Sequence, residues 1–430
     1  MKYFGTDGIR GVPNEKLTPT LVTKIGMALS VLECKEVVIA TDTRLSKDML
    51  WTSLATGAMS VGLNVKYVGV MPTPALIYYS FKHKVTGVII TASHNPYTDN
   101  GIKILNRGYK LNETEEFQIE EYIDACNESF VKPKIGCLEM IDVKKEYYQF
   151  LQNHMHKTNL KIAIDCANGA TSVTAPEIFK EITDQLIVIS NQPDGYNINK
   201  DCGSTHLNLL IKTVVDHNCD LGFAFDGDGD RVLCVDSNGK IIDGDKLIYL
   251  LALYLKSKGK LRKNMVVLSI MSNLGLIESL SQHGIHAIET NVGDKYIIEA
   301  LNNNKLSLGG ENSGHIILPQ ILHTGDGLLN SIFIVNLLTE ANIKIEEYFD
   351  SVIMYSDKMV NIKVNDKSKV LQNLELSNKI ELIKKELDYD CKVIVRASGT
   401  EDVIRVSVMA KEQELVNKYI NELVSLIQSI

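Results

Sequence analysis

Three aspartates at alternate positions, Asp226-Gly227-Asp228-Gly229-Asp230, followed by Arg231, put three hard oxygen ligands into five residues. Fully extended, Asp226 and Asp230 would stand ~13 Å apart at ~3.3 Å per residue, too far to share one ion. Oxygens surround Mg²⁺ at ~2.1 Å, so the chain must curl around such an ion. Gly227 and Gly229 are read as permitting that curl, because glycine reaches positive φ without steric cost. The apolar run Leu221-Gly-Phe-Ala-Phe225 reads as a buried strand. It sets the carboxylates at a strand's carboxyl end, where open α/β sheets place their ligands. An EF-hand is excluded, since Arg231 stands where that loop needs glycine and Ser237 where it needs a bidentate glutamate. A divalent-metal site is expected, the alternative being a solvated acidic turn.

Three further loops carry groups of the right type for phosphate and sugar chemistry. Thr91-Ala-Ser-His-Asn-Pro96 presents the Ser93 hydroxyl at the end of an apolar run, although a plain Asn95-Pro96 turn fits the same residues. Gly309-Gly-Glu-Asn-Ser-Gly-His315 allows close backbone approach, and Glu311 and Ser313 suit sugar hydroxyls; a polar turn reads equally well. Arg396-Ala-Ser-Gly-Thr-Glu401, with Arg405 beyond it, has the donors of an anion cradle, against the alternative of a surface turn. No Gly-x-Ser-x-Gly, Walker A or Gly-x-Gly-x-x-Gly pattern occurs, which leaves hydrolase-elbow and nucleotide-binding functions unsupported.

Strands and helices must position these loops. Residues 1–150 alternate strands at Val37–Ala40, Val65–Val70 and Gly87–Thr91 with a helix from Lys47 to Ser60 and a solvated acidic helix from Asn112 to Asn127. The pattern restarts with strands at Lys161–Asp165, Leu186–Ile189 and Leu221–Phe225 and a helix at Lys246–Ser257; the Lys/Gly-rich stretch 256–264 reads as a linker. It begins again with strands at Val266–Ile270, His286–Glu289 and Leu306–Leu308 and helices at Leu274–Gln282, Lys295–Asn302 and Gly327–Glu340. The remainder gives strands at Val360–Val364, Lys392–Val395 and Val403–Met409, one helix around Val370–Leu387 and a last helix. The expected class is α/β: three similar α/β units with mixed sheets (1–150, 151–255, 256–355) and a smaller α+β domain (356–430).

A net charge of −8 disfavours general nucleic-acid binding and confines any phosphate-binding surface to a local pocket. The longest apolar run, Leu247–Leu255, is far short of the ~20 residues that span a bilayer. Eight cysteines without a Cys-x-x-Cys pair, and an amino terminus lacking a signal-peptide core, point to a reduced cytoplasmic protein.

In this order the loops resemble those of the α-D-phosphohexomutases, most closely the members acting on glucosamine phosphate. The carrying motifs are Lys2-Tyr-Phe-Gly-Thr-Asp-Gly-Ile-Arg-Gly11, Thr91–Pro96 with Asp99-Asn-Gly-Ile-Lys103, Asp226–Arg231, Gly310–His315 and Arg396–Glu401. The resemblance covers essentially the whole chain and implies four domains around a central cleft, one loop from each. Carried over, Ser93 would hold the phosphoryl group. Asp226, Asp228, Asp230 and the Ser93 phosphate would bind one Mg²⁺ per subunit. Arg10, His94, Lys103 and Arg231 match positions lining the reacting centre. Glu311, Ser313 and His315 match the sugar contacts, and Arg396, Ser398, Gly399, Thr400 and Arg405 the grip on the non-reacting phosphate.

The implied activity interconverts glucosamine 6-phosphate and glucosamine 1-phosphate through a phosphoserine enzyme and a hexosamine 1,6-bisphosphate. Mannose or glucose phosphates are the alternative substrates, and a metal-dependent sugar phosphatase is a more distant one. The expected partner is a small phosphosugar, with neither nucleic acid nor membrane, and the expected assembly a homodimer. Asn312 stands where the glucosamine members usually carry Gln, and Ala397 and Asp402 where close relatives usually carry Pro. These departures bear on sugar preference and turnover.

Overall fold

Leu221–Phe225, buried at all five residues, pairs parallel with Ile162–Asp165 and antiparallel with Val232–Asp236. A strand with both edges paired and both faces covered has no polar alternation, hence the unbroken apolar run. Phe225 faces Val232 across the antiparallel pair, so residues 226–231 are the connection of a hairpin. Leu186–Ile189 and Ile241–Ile242 flank this sheet.

The computed structural model describes residues 2–5, 7–126, 131–398 and 403–430. They divide into one unit of Met1–Ile270 with Ile288–Tyr348, and another of Met271–Ala287 with Phe349–Ile430. No helix of the described residues is long and apolar enough to cross a membrane.

The first unit opens with a mixed sheet ordered Ile9–Gly11, Asn100–Asn106, Thr86–Ile90, Glu36–Thr41, Asn64–Val70, Leu138–Met140, with Tyr109–Lys110 beside Asn100–Asn106. Thr86–Ile90, buried throughout, carries the chain into the Ser93 turn. Asn100–Asn106 returns antiparallel alongside it, with Lys103 opposite Ile89. The sequence pattern does not announce this strand, because Asp99-Asn-Gly at its start looks like a turn. The acidic helix runs Glu113–Ala125, opened by a capping box between Asn112 and Glu115. It is less solvated than expected, since Ile119 and Ile123 reach the core beside Ile9 and Ile25; residue 127 lies outside the described residues.

Two expectations for the same unit need correction. Residues 256–264 are not a linker but an ordered return from helix Gly244–Ser257: the N–H groups of Lys260 and Leu261 both donate to Leu255 O, at 2.8 and 3.2 Å. The strand expected at Leu306–Leu308 is paired instead at Gly309–Gly310, parallel to Val267–Leu268 and antiparallel to Ile316–Ile317. A Cβ on Gly309 would lie 2.9 Å from Val267 Cβ, and one on Gly310 2.5 Å from His315 O. The glycines that looked like loop are there because neighbouring strands leave no room for side chains.

The second unit holds the three-stranded antiparallel sheet Ser356–Lys363, Val403–Ala410, Lys392–Ala397, packed on helix Gln413–Ser429 through Val406, Val408, Ile420 and Leu423. The single helix expected around Val370–Leu387 is two, Lys367–Leu371 and Leu374–Glu386. Asn373 separates them by accepting a hydrogen bond from Leu376 N with its side chain, the behaviour of an N-cap.

Candidate active site

The aspartate loop closes on itself. Asp226, Asp228 and Asp230 are buried and each offers a carboxylate oxygen within 4.8 Å of the others, the one group of three such ligands found among the described residues. Gly229 has φ 75°, as the expected curl requires. Gly227 does not, and its reason is different: a Cβ there would lie 2.5 Å from the carbonyl oxygen of Ser93. The second glycine turns the loop, and the first lets it lie against the serine turn.

The residues fit a cation. Oδ1 of Asp228 and Oδ1 of Asp230 are buried without a hydrogen-bond partner, a costly arrangement for anionic oxygens. Burial, reinforced by Asp230 and Asp228, pushes the Asp226 carboxyl well above the usual carboxylate range. Asp230 is held well below it despite burial, chiefly by Lys103 and then His315. Three crowded carboxylates with two orphaned oxygens match the donor set of a hard divalent ion.

Ser93 stands at the mouth of this loop. Its Oγ donates to Asp226 Oδ2 at 2.6 Å and lies 3.3 Å from His94 Nδ1. The residue is 2% exposed and has φ 51°, a left-handed conformation that a serine adopts only when its surroundings impose it. Burial first, then Arg231 and Arg10, lowers the His94 imidazole to about 4.

Lys103 joins the two loops. Its Nζ lies 3.0 Å from Asp228 Oδ2, 3.0 Å from Asp7 Oδ2 and 3.6 Å from Asp230 Oδ2. Burial opposes its charge, but Asp228, Asp7 and Asp230 raise it well above the ordinary lysine value. Arg10 reaches Asp7 Oδ2 at 2.7 Å, Arg231 Nε lies 3.9 Å from Asp230 Oδ1, and His315 Nδ1 lies 3.6 Å from the same oxygen. Thus Ser93, His94, Lys103, Arg231, His315 and the three aspartates converge, with Arg10 joined through Asp7.

In the sugar loop, Glu311 Oε1 accepts from Gly293 N at 2.9 Å, while Ser313 Oγ is buried without a partner. A cavity of 1240 Å³ opens beside Lys103 and Asp230 and is walled also by Asp7, Lys110, Asp294 and Thr324. Sequence reasoning did not single out Asp7, Thr73, Lys110 or Asp294. Thr73 Oγ1 donates to Asp228 Oδ2 at 2.7 Å, and Lys110 bridges Asp7 and Asp294. Asp7 sits inside a quoted motif, a signal that was available; the others carry none, being isolated polar residues before the chain is folded.

Arg396, Ser398 and Arg405 belong to the second unit. Arg396 is not in a loop as expected but on strand Lys392–Ala397, directly opposite Arg405 on Val403–Ala410. The antiparallel register brings the two side by side because Ser398 N, at the turn, donates to Val403 O at 2.9 Å. Gly399 and Thr400 lie outside the described residues.

Comparison with known proteins gives matches along nearly the whole chain. Family models for phosphoglucomutase/phosphomannomutase match in series: alpha/beta/alpha domain I over residues 1–129, domain II over 142–239, domain III over 243–355 and the C-terminal domain over 359–426. The phosphoglucosamine mutase of Carboxydothermus hydrogenoformans is 41% identical over 442 residues, covering all of both chains. That of Bacillus subtilis is 39% identical over 441, covering 100% of this chain and 98% of its own. Among solved structures, a phosphoglucomutase/phosphomannomutase family protein from Burkholderia thailandensis superposes with a TM-score of 0.84 at 22% identity, over 99% of this chain and 97% of that one. The Aspergillus fumigatus N-acetylphosphoglucosamine mutase, in complex with GlcNAc-6P and magnesium, gives 0.72 at 17% identity, over 99% and 95%.

Proposed function

The chain belongs to the phosphoglucomutase/phosphomannomutase family, and on that premise we propose that it interconverts glucosamine 6-phosphate and glucosamine 1-phosphate. The enzyme class is isomerase, and the sugar is that of relatives 41% and 39% identical along the whole chain. The observation that carries the chemistry is Ser93 Oγ, held 2.6 Å from the buried Asp226 at the rim of the aspartate loop. The four domains proposed are 1–150, 151–255, 256–355 and 356–430; the matched stretches 1–129 and 359–426 fall inside the first and last, whereas those for domains II and III begin earlier than proposed, at 142 and 243.

Asp226, Asp228, Asp230 and a phosphate on Ser93 would hold one Mg²⁺, which when bound supplies charge against that of the phosphoryl group. The chain's own residues do the rest. Lys103 is occupied by Asp7 and Asp228, both at 3.0 Å, so it contributes positive charge. Arg231 adds a guanidinium at the same centre. The C1 oxygen of the 6-phosphosugar bonds to phosphorus as the bond from phosphorus to Ser93 Oγ breaks. The hydroxyl proton passes by way of His94 Nδ1, 3.3 Å from Ser93 Oγ, to that oxygen. The 1,6-bisphosphate then turns about within the site, and its 6-phosphate returns to Ser93 by the reverse steps. Glu311, Ser313 and His315 would orient the sugar ring. Eight unpaired cysteines accord with a cytoplasmic setting.

Phosphorus NMR of the purified protein with glucosamine 6-phosphate, Mg²⁺ and the bisphosphate tests this directly. A glucosamine 1-phosphate resonance growing to a steady ratio is expected. Inorganic phosphate as the only new signal would mean a phosphatase.

Arg396 and Arg405, paired across two strands, would grip the phosphate that is not reacting, with Ser398, Gly399 and Thr400 beside them. Removing one bidentate contact costs about 1.5–3 kcal/mol. Arg396→Ala is therefore expected to lower kcat/KM for the phosphosugar about tenfold to a hundredfold, with metal affinity unchanged. Steady-state kinetics and a metal titration read the two quantities; an unchanged kcat/KM would put the second phosphate elsewhere.

A further inference from the structure

Arg44 is the largest fully buried side chain among the described residues, and it lies outside the aspartate, serine, sugar and phosphate loops. Its side chain is 0% exposed, as is that of its partner Asp42, whose Oδ2 accepts from Arg44 Nε at 2.8 Å. The remaining donors all go to carbonyl oxygens of one short turn. One terminal nitrogen donates to Ser93 O at 2.9 Å and Asn95 O at 2.8 Å. The other donates to Asp99 O at 3.0 Å and to Pro96 O. All five N–H bonds of the guanidinium are thus used inside the protein, leaving none for a substrate.

A second donor acts on the same oxygens from another element. Asn199 Nδ2 donates to Ser93 O at 2.9 Å and to Asn95 O at 3.1 Å. Asn199 is itself 6% exposed, and its backbone N–H is tied to Ala167 O at 2.9 Å. The amide of Ser93 is fixed as well: it donates to Thr91 Oγ1 at 2.9 Å, and that hydroxyl donates to Asp42 Oδ2 at 2.7 Å. Gly227 closes the remaining side, with room for no Cβ against Ser93 O.

The left-handed φ of 51° at Ser93 is unfavourable for a residue with a side chain, and persists only where surroundings over-determine it. Here they do. With the carbonyls of residues 93, 95, 96 and 99 drawn inward onto Arg44, the Ser93 side chain is left facing Asp226.

We propose that Arg44 and Asn199 are positioning residues that hold the Ser93 turn in its strained conformation, so that Oγ is presented in line for phosphoryl transfer. The proposal rests on Ser93 being the phosphoryl carrier.

The test is kinetic, with wild type and Ser93→Ala measured alongside on glucosamine 6-phosphate. Asn199→Ala removes two of the bonds and is expected to lower kcat at least about tenfold with KM within about twofold, since displacements near 1 Å suffice for such losses. Arg44→Ala is expected to lower kcat about a hundredfold or more, and millimolar guanidinium to restore part of it where methylammonium at equal ionic strength does not. An inactive wild type would overturn the function itself. An active wild type with Asn199→Ala at wild-type kcat, or with its loss in KM alone, would overturn the clamp and leave the function standing. Rescue by methylammonium as good as by guanidinium would likewise remove Arg44 from it. Should Arg44→Ala fail to fold, Asn199→Ala decides.

Discussion

Ser93→Ala should reduce mutase turnover by on the order of 10⁴-fold or more, the scale of loss when an enzyme's covalent carrier is deleted. One oxygen disappears, and it is the oxygen 2.6 Å from Asp226 and 3.3 Å from His94. Two neighbouring hydroxyls are already committed: that of Thr91 to Asp42 and the Ser93 amide, and that of Thr73 to Asp228. The fold should survive. Alanine tolerates φ 51° as poorly as serine does, so the strain is unchanged, and the bonds that hold the turn run to backbone carbonyls. Intact-mass spectrometry should find a wild-type fraction heavier by one phosphoryl group and no such fraction in the variant. Near-normal turnover in Ser93→Ala, with a melting temperature like that of wild type, would contradict the covalent mechanism.

Chelation should produce the next largest effect. With three carboxylate oxygens mutually within 4.8 Å and two orphaned Oδ1 atoms, the loop repels the phosphoryl group it must accommodate. EDTA is expected to lower turnover by on the order of 10³-fold, and Mg²⁺ to restore it. Zn²⁺ and Ca²⁺ should bind the same oxygens and support turnover poorly, because their preferred geometries differ from the compact octahedron of Mg²⁺. A readout independent of turnover is available: an ion that binds only the folded chain stabilises it by about 2.7 kcal/mol at a hundred times its Kd. The melting temperature should therefore rise with added Mg²⁺ in wild type and not in a variant in which Asp226 and Asp228 are both Asn. Full turnover after exhaustive chelation would contradict a metal role.

Much of this was legible in the sequence for local reasons. The strand Leu221–Phe225 and helix Lys47–Ser60 occur where their patterns place them, because an unbroken apolar run and a helical repeat are properties of a few adjacent residues. The aspartate loop was visible because its three ligands are consecutive in the chain. What was not legible depends on neighbours distant in sequence. Gly309–Gly310 looked like loop, yet it is strand because Val267 and His315 press against it. Lys103 was known only as part of a motif; its salt bridges exist because Asn100–Asn106 folds back beside Thr86–Ile90. Gly227 was assigned a turning role, but the close approach of a serine carbonyl 134 positions away explains it. Arg44 and Asn199 carry no signal at all, since what each does is donate to backbone that only the folded chain brings near.

The sugar is the central claim, because the family models that match the chain are described by glucose and mannose phosphates, as phosphoglucomutase/phosphomannomutase. Glucosamine, glucose and mannose 6-phosphates present the same 4-hydroxyl and differ at C2, where only glucosamine carries an ammonium. One charged hydrogen bond to that group is worth about 1.5–3 kcal/mol, about tenfold to a hundredfold in specificity. The most direct measurement is kcat/KM for the three 6-phosphates, each primed with its own 1,6-bisphosphate under identical Mg²⁺. Glucosamine 6-phosphate is expected to exceed both others by at least about tenfold. A value for mannose or glucose 6-phosphate equal to or above that for glucosamine 6-phosphate would contradict the assignment of substrate.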